Sequence, residues 1–263
     1  MLKKTVFAAV AAALLLAACS QGSSDKQAAA AGEKTYVVAT DAAFAPFEYQ
    51  EKGQLVGFSV DLLDAISKNQ NIKFRLDNTP WEGIFATLGK GDSDMISSSV
   101  TITDERKQSM DFSEPYFEAT QMIVTTDKSP EVKSFADLKN RTVAVLTGST
   151  GDLVMQKLQG NDSPNIKRYE GLPLALKELV NGSVDAAVGD NGVVQFFAVN
   201  NPNVKLHMLV EDSFEKEAYG FAVRKGRDDE LLPKVNAGIA ALKADGTYQK
   251  IYDKWFAADK AAQ

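Results

Sequence analysis

Apolar residues along the chain follow two alternating patterns: short continuous runs, typical of buried strands, and stripes with the spacing of one helix face. In the first half, strand-like runs lie at 36–39, 72–76 and 95–96, with helical stripes between them. The two stripes are Phe58, Leu62, Ala65 and Ile66, then Trp81, Ile84, Phe85 and Leu88. This order predicts one β-α-β-α-β unit with parallel strands.

A second unit of the same kind begins after residue 130, where Ser134 is expected to cap a short helix. Alternating strands and helices are then predicted at 142–146, 151–158, 166–169, 172–180 and 185–188. Two such units predict an α/β protein of two lobes, each a mostly parallel sheet flanked by helices.

Two β-rich runs, 116–126 and 218–223, lie outside these units. If both cross between the lobes, the chain returns to the first lobe and ends there with two helices separated by Gly246. The predicted limits are a first lobe of 34–116 and 221–263, a second lobe of 121–217, and hinge strands near 117–120 and 218–220. We expect a ligand-binding crevice where the carboxyl ends of the strands face each other.

Composition narrows the function. The chain has 263 residues, 44% of them apolar and 24% charged, which is typical of a folded globular protein. A formal net charge of −6 disfavours nucleic-acid binding. One Cys and one His exclude an internal disulfide, a Cys/His zinc site and a Ser-His or Cys-His pair unless His207 takes part. We expect His207 on a strand surface, and no metal or cofactor.

Residues 1–18 have the pattern of a cleaved export signal. Two lysines precede an apolar stretch that is too short to span a bilayer. The segment Leu16-Ala17-Ala18-Cys19 resembles a bacterial lipobox, which predicts acylation of Cys19; the alternative is an ordinary signal peptide with an incidental cysteine. Residues 19–33 are then a flexible tether. We expect a protein in the periplasm or at the cell surface, held to a bacterial membrane by its lipid alone.

The strongest local motif is 101–106 (TITDER), in which Thr103 is a good helix N-cap. Arg106 follows one turn into the helix, where a cation is unfavourable beside free backbone N–H groups. Its position is explained if the guanidinium and these donors converge on an anion, because arginine holds a carboxylate with two parallel hydrogen bonds. The alternative is a surface arginine paired with Glu105 or Asp111.

Extended to Tyr116, this motif is one of five segments that resemble the periplasmic polar amino-acid binding proteins of ABC importers. The glutamine, histidine and lysine/arginine/ornithine receptors are the most similar types. The resemblance covers about residues 35–256 and implies the two-lobed, type II periplasmic binding protein fold. The other four segments are 40–48 (TDAAFAPFE), 57–62 (GFSVDL), 147–151 (TGSTG) and 244–248 (ADGTY).

The resemblance implies how the ends of an amino acid would be held. Arg106 would bind the α-carboxylate, together with hydroxyl or backbone donors of Thr101 and Thr150. Asp190 would bind the α-ammonium; as an alternative, it is only a helix N-cap. Each buried charge needs such a partner, because a desolvated ion loses several kcal/mol of hydration.

Further residues match positions around the ligand. Ser98 and Ser99 would supply polar groups at the end of the 95–96 strand. Asp41, Phe44 and Trp81 would contact the ligand side chain, and their carboxylate and aromatic faces suit a flat or cationic group. For the two aromatic residues, core packing is the alternative.

Two departures from the glutamine receptor bear on specificity. Leu146 stands where that relative has Lys, and Gly189 where it has His, so both changes remove a donor or a cation. With Arg106 and Asp190 assigned to the ligand backbone, Asp41 lacks a partner that a cationic side chain would provide. The chain is therefore expected to bind arginine, lysine, ornithine or histidine rather than glutamine, unless the carboxylate of Asp41 is satisfied within its own loop.

The resemblance implies a monomeric receptor that presents a free amino acid to an ABC permease, and no enzyme. A periplasmic prephenate or arogenate dehydratase is the alternative, but prephenate has no amine for Asp190 to bind. A sensor that signals through a separate partner is a third reading. Glu118 and Gln121, on the first proposed hinge strand, either touch the ligand or are solvated.

Overall fold

The computed structural model describes residues 34–129 and 131–256. The predicted export signal, the acylation at Cys19 and the tether lie outside the described residues. In the part that is described, none of the helices combines the length and the apolar character needed to span a bilayer.

The secondary structure follows the predicted alternation closely. In chain order, the strands are β1 (Thr35–Thr40), β2 (Ala43–Phe44), β3 (Glu48–Glu51), β4 (Gln54–Val56), β5 (Lys73–Asn78), β6 (Met95–Ile96), β7 (Met110–Phe112), β8 (Phe117–Ala119), β9 (Gln121–Thr126), β10 (Val143–Leu146), β11 (Ile166–Tyr169), β12 (Ala186–Asp190), β13 (Leu206–Leu209), β14 (Glu217–Tyr219) and β15 (Ala222–Arg224). The helices are α1 (Phe58–Gln70), α2 (Trp81–Lys90), α3 (Asp104–Ser109), α4 (Thr150–Gln159), α5 (Leu172–Asn181), α6 (Asn191–Asn200), α7 (Leu231–Ala244) and α8 (Thr247–Phe256), with a 3₁₀ helix at Phe135–Asn140. Ser134 and Asp137 form a capping box at the start of the 3₁₀ helix, as expected for its N-cap.

Each lobe is built on one five-stranded sheet, so the two-lobed α/β fold is confirmed. The first sheet has the order β5-β1-β6-β15-β7, and the second has the order β11-β10-β12-β9-β13. The predicted units do form parallel pairs, β1 with β5 and β6, and β10 with β11 and β12.

In each sheet, four of the five strands run in one direction and one strand runs against them, so the sheets are mostly parallel with one antiparallel member. β15 is antiparallel to β6 and β7, and β9 is antiparallel to β12 and β13. Both β9 and β15 follow a crossing between the sheets directly, without the crossover helix that keeps successive strands parallel. The two β-rich runs are accordingly divided, into β8 and β9 and into β14 and β15.

Between the sheets, β8 and β14 pair with each other in an antiparallel two-stranded ribbon. The chain passes through this ribbon once in each direction. The residue limits given above for the lobes and the hinge remain a prediction.

A cluster of phenylalanine rings packs α8, the last helix of the described residues, against this ribbon. The ring centroids of Phe47 and Phe117 are 4.7 Å apart, those of Phe117 and Phe256 are 5.1 Å apart, and those of Phe58 and Phe256 are 5.4 Å apart. Full burial of such a ring is worth about 1.5–3 kcal/mol. Because Phe117 lies on β8 and Phe256 ends α8, the cluster packs α8 against the β8–β14 ribbon.

Gly57 brings the loop before β3 into contact with the start of α1. It has φ +140°, and a Cβ at this position would lie 2.0 Å from the carbonyl oxygen of Phe47. This close approach lets the first amides of α1 donate to the loop, Phe58 N to Pro46 O at 2.9 Å and Ser59 N to Phe47 O at 3.0 Å. The loop of Pro46 and Phe47, which follows Phe44, is thereby held against the start of α1.

Candidate ligand-binding site

A cleft lies where the two lobes meet. The ten residues that the sequence singled out for a ligand all line it, and Ser149 joins them. The lining residues are Asp41, Phe44, Trp81, Ser98, Ser99, Thr101, Arg106, Leu146, Ser149, Thr150 and Asp190. The fold therefore brings the predicted set together, while the role of each residue stays a prediction.

The carboxyl ends of central strands supply much of this lining. Asp41 follows β1, Ser98 follows β6, Leu146 ends β10 and Asp190 ends β12. In a parallel arrangement these ends lie at one edge of the sheet, where ligands bind in open α/β folds. Each lobe thus turns this edge toward the cleft.

Arg106 reaches the cleft from the short helix α3. Thr103 Oγ1 accepts a hydrogen bond from the Arg106 backbone N at 3.1 Å, as predicted for the N-cap. The guanidinium donates to Thr101 O at 2.9 Å. It also donates to Gly148 O, which belongs to the other lobe, at 3.3 Å. Asp111, a partner considered from the sequence, is paired with Lys225 instead, at 2.7 Å.

Burial lowers the pKa of Arg106, and the carboxylates of Asp190 and Glu217 are the main charges that oppose this shift. The guanidinium carbon lies 5.6 Å from the ring centroid of Trp81 and 5.4 Å from that of Phe85. These aromatic faces stabilise the cation and orient it. The arrangement suits a planar donor for a ligand carboxylate.

The hydroxyl groups of Thr101 and Thr150 are already used within the protein. Both donate to Glu217 Oε2, at 2.9 and 2.8 Å. Of the donors that the sequence left open at these two residues, the backbone N–H groups are the ones left to meet a ligand carboxylate.

Asp190 is buried at the end of β12, before α6. Its Oδ1 accepts hydrogen bonds from Tyr219 Oη at 2.7 Å and from Gln121 Nε2 at 3.3 Å. It occupies the N-cap position of α6, but its side chain makes no capping hydrogen bond. Burial, followed by the negative charge of Glu217, raises the pKa of Asp190 to about 7. The ionised form of Asp190 is therefore destabilised, and a cation beside it would stabilise this form.

Asp41 is a second carboxylate whose ionised form a cation would stabilise. Burial raises its pKa, a hydrogen bond from the backbone N–H of Trp81 opposes this shift, and the negative charge of Glu170 adds to it. The donor belongs to α2 and not to the loop of Asp41 itself. Glu170 directly follows β11 in the other lobe, so acidic groups from both lobes lie near this end of the cleft.

Phe44 and Trp81 combine the two roles considered for them, because both are buried in the core and both line the cleft. Trp81 packs edge-on against Phe85, with ring centroids 4.8 Å apart. Its Nε1 donates to Thr147 O in the other lobe at 3.0 Å. The indole thus bridges the lobes.

A buried carboxyl group lies behind the serines of the cleft. Burial raises the pKa of Glu48 to about 8, while the nearby hydroxyls of Ser59 and Ser99 act against the shift. Neither of its oxygens makes a hydrogen bond of normal geometry within the described residues. Ser99 has φ +48°, and the Oγ of Ser98 accepts from the backbone N of Asp41 at 3.1 Å.

The structure also places residues that the sequence assigned elsewhere or missed. His207 lies on the exposed face of β13, as expected, with Nε2 2.6 Å from Asp127 Oδ1. The described residues contain no group of His, Cys, Asp and Glu side chains that could hold a metal ion. Sequence reasoning missed Glu48, Glu170 and Glu217, because each becomes significant only through residues distant in the chain.

Comparison with known proteins identifies similar chains. The sequence profile of the bacterial extracellular solute-binding proteins, family 3, matches residues 36–258. A probable histidine-binding protein of Neisseria gonorrhoeae is 46% identical over 226 residues, which are 85% of this chain and 84% of that protein.

Two solved structures are similar over nearly their whole length. The arginine-, lysine-, histidine-binding protein ArtJ from Geobacillus stearothermophilus is 47% identical with a TM-score of 0.81, and the match covers 85% of this chain and 96% of that chain. The ancestral amino acid-binding protein AncCDT-1, a precursor of cyclohexadienyl dehydratase, is 38% identical with a TM-score of 0.75, and the match covers 84% of this chain and 95% of that chain.

Proposed function

Because the chain belongs to the bacterial extracellular solute-binding proteins of family 3, we propose that it is a receptor for a cationic L-amino acid: arginine, lysine, ornithine or histidine. The relatives from Neisseria gonorrhoeae and Geobacillus stearothermophilus are named for ligands of this class. The receptor delivers its ligand to an ABC permease, and no chemical step is required of it.

The charge balance of the cleft carries this proposal. Arg106 is the one basic side chain among the lining residues of the described structure, whereas Asp41 and Asp190 are both acidic. A cationic amino acid brings one negative and two positive charges, which matches one guanidinium and two carboxylates. A neutral amino acid would leave the half-buried carboxylate of Asp41 without a cation, and an unpaired charge that is largely removed from water is costly.

Each group of the ligand then has a proposed partner. Arg106 binds the α-carboxylate together with the backbone N–H groups of Thr101 and Thr150, and Asp190 binds the α-ammonium. Asp41 binds the cationic side chain. Five further lining residues shape the cleft around the ligand: Phe44 and Trp81 with aromatic faces, Leu146 with an apolar surface, and Ser98 and Ser99 with polar atoms.

The two-lobed fold suits a transport receptor. We propose that they move about the β8–β14 ribbon, and that a permease recognises the closed form. We further propose that acylated Cys19 anchors the monomeric receptor outside the cytoplasmic membrane. The ancestral neighbour is itself described as amino acid-binding, which agrees with a binding role rather than a dehydratase activity.

Thermal unfolding of the protein from Ser20 onward tests the proposal. Each common amino acid, ornithine and prephenate are added separately; a bound ligand at about 100 times its dissociation constant stabilises the folded state by about 2.7 kcal/mol. We expect the unfolding temperature to rise by several degrees with cationic amino acids alone. A rise with glutamine or a small neutral amino acid would contradict the specificity, and a rise with prephenate alone would favour the dehydratase.

A further inference from the structure

The ribbon strand β14 begins with a glutamate whose carboxylate lies between the two lobes. Glu217 Oε2 accepts from Thr101 Oγ1 at 2.9 Å and from Thr150 Oγ1 at 2.8 Å. Thr101 follows β6 of the first sheet, and Thr150 begins α4, which packs on the second sheet. One carboxylate therefore holds a residue from each lobe.

The other oxygen of Glu217 connects it to the residue proposed to bind the α-ammonium. Glu217 Oε1 accepts from Gln121 Nε2 at 3.1 Å, and the same Nε2 lies 3.3 Å from Asp190 Oδ1. The amide of Gln121 thus separates two carboxylates that would otherwise repel each other. Glu217 is partly buried and lies outside the cleft lining, so it acts through these neighbours and not on the ligand.

Its threonine partners, in contrast, face the ligand space directly. Since both hydroxyl protons point to Glu217, the orientation of Thr101 and Thr150 is fixed on either side of the cleft. A rotation of the lobes about the ribbon changes the distance between these residues. At least one of the two hydrogen bonds must then lengthen or break, because a hydroxyl bond tolerates little beyond about 3 Å.

We propose that Glu217 is a positioning residue that ties Thr101 of the first lobe to Thr150 of the second and thereby stabilises the closed cleft. The proposal extends the proposed function, in which a ligand is held by the closed form. The contacts themselves involve no ligand, so their effect on closure is measurable without one.

The first test is the distance between the lobes in the ligand-free protein. Single cysteines replace two exposed lysines, Lys90 at the end of α2 and Lys157 on α4, in the protein from Ser20 onward, and carry spin labels. We expect E217A to shift the distance distribution toward longer values. The matched control is E118A, since Glu118 is exposed on β8 and lies opposite Ala218 in the same ribbon. An unchanged distribution in E217A, or an equal shift in E118A, would overturn the proposal.

The second test uses L-arginine as the probe. We expect E217A to raise the dissociation rate constant at least tenfold and to change the association rate constant less than threefold, because the contacts of Glu217 stabilise the closed complex. Equal changes in both rate constants would contradict this role of Glu217. Failure of the wild-type protein to bind arginine or any other amino acid would refute the proposed function, while the ligand-free distances would still decide the role of Glu217.

The isosteric variant E217Q separates positioning from general packing. The groups that interact with Asp190 are Glu217 and Tyr219 on β14, Gln121 on β9, Arg106 on α3 and Glu48 on β3. Removing the charge of Glu217 lowers the pKa of Asp190, so arginine binding should persist to lower pH in E217Q than in the wild type. A role in packing alone would leave this pH midpoint in place, and an unchanged midpoint would contradict the coupling of Glu217 to Asp190 through Gln121.

Discussion

Asp41 and Asp190 are the same residue type in one cleft, yet their surroundings differ. Asp190 accepts from a tyrosine and a glutamine side chain, whereas the carboxylate of Asp41 is held by a backbone N–H of Trp81 and is repelled by Glu170. Hydrogen bonds offset part of the cost of burying a charge, and only an opposite charge removes most of it. The specificity of the cleft should therefore depend on Asp41 more than on any other single residue.

Asp41→Asn tests this dependence. We expect the affinity for arginine to fall by about 2 kcal/mol, roughly thirtyfold, because the ligand cation loses its partner. The affinity for glutamine should change far less. Isothermal titration with both ligands measures the difference, and Asp64→Asn on the exposed face of α1 is the control. An equal loss for both ligands would refute the charge-balance argument.

Glu48 gives a second prediction at this scale, on stability. The folded state holds a proton on Glu48 up to a pH of about 8, whereas a glutamate in the unfolded chain releases it near pH 4.5. The free energy of unfolding therefore falls as the pH rises between these values. Glu48→Gln removes this loss, so its stability relative to the wild type should increase from pH 5 to pH 8 by roughly 3–5 kcal/mol.

Chemical denaturation at several pH values measures this difference. Glu51→Gln is the matched control, since Glu51 is an exposed residue of the same strand, β3. A pH-independent difference between Glu48→Gln and the wild type would show that Glu48 does not hold its proton in the folded state. The other acidic groups that influence Glu48, Asp41 and Asp190, are unchanged in both variants.

At the scale of elements, the strands that end at the cleft and the helices that follow them were predictable from local pattern. The stripes of α1 and α2 and the run of β1 each have one apolar period and clear limits, such as the left-handed Gly91 after α2. Pairings between distant segments were not, because strand order depends on contacts far apart in the chain. β15, for example, lies between β6 and β7, more than a hundred residues earlier.

The site shows the same division. Residues within recognisable segments, such as Arg106 after its N-cap, were identified from sequence and do line the cleft. Glu217 was missed because its partners Thr101 and Thr150 lie 116 and 67 residues away, and no local spacing marks such a contact. Whether a hydroxyl faces a ligand or the protein is likewise decided by tertiary packing.

Helix α2 contributes an element-level prediction, because its first residue bridges the lobes. Trp81→Phe keeps an aromatic face beside Arg106 but removes the Nε1 donor to Thr147 O. We expect arginine to dissociate about fivefold faster, which corresponds to about 1 kcal/mol for one hydrogen bond.

Stopped-flow displacement of arginine measures this rate. The matched control is Trp255→Phe, since the other tryptophan donates to Asp61 Oδ2 at 2.7 Å within the first lobe. Trp255→Phe should lower stability without changing the dissociation rate. If both variants accelerate dissociation equally, the bridge formed by Trp81 does not hold the cleft closed.

At the scale of the whole molecule, the lobes meet through apolar packing, such as Tyr49 against Phe196, and through a small set of hydrogen bonds. Trp81 with Thr147, Arg106 with Gly148 and Glu217 with its two threonines account for the hydrogen bonds described above between the lobes. Apolar packing is extensive by comparison, and one cluster of buried side chains includes residues of both sheets, such as Val38 and Ala144. A change between open and closed forms should therefore keep both sheets intact and alter mainly the polar contacts across the cleft.

The order of strands in the first sheet bears on how the chain folds. β15 lies between β6 and β7, but it is made only after all five strands of the second sheet. During folding, β6 and β7 of the first sheet lack the strand between them until residues 222–224 pair with both, whereas the second sheet has all its strands once β13 has formed. The second lobe can thus fold before the first. Because β15 pairs with strands more than a hundred residues earlier, we expect the first lobe to fold more slowly.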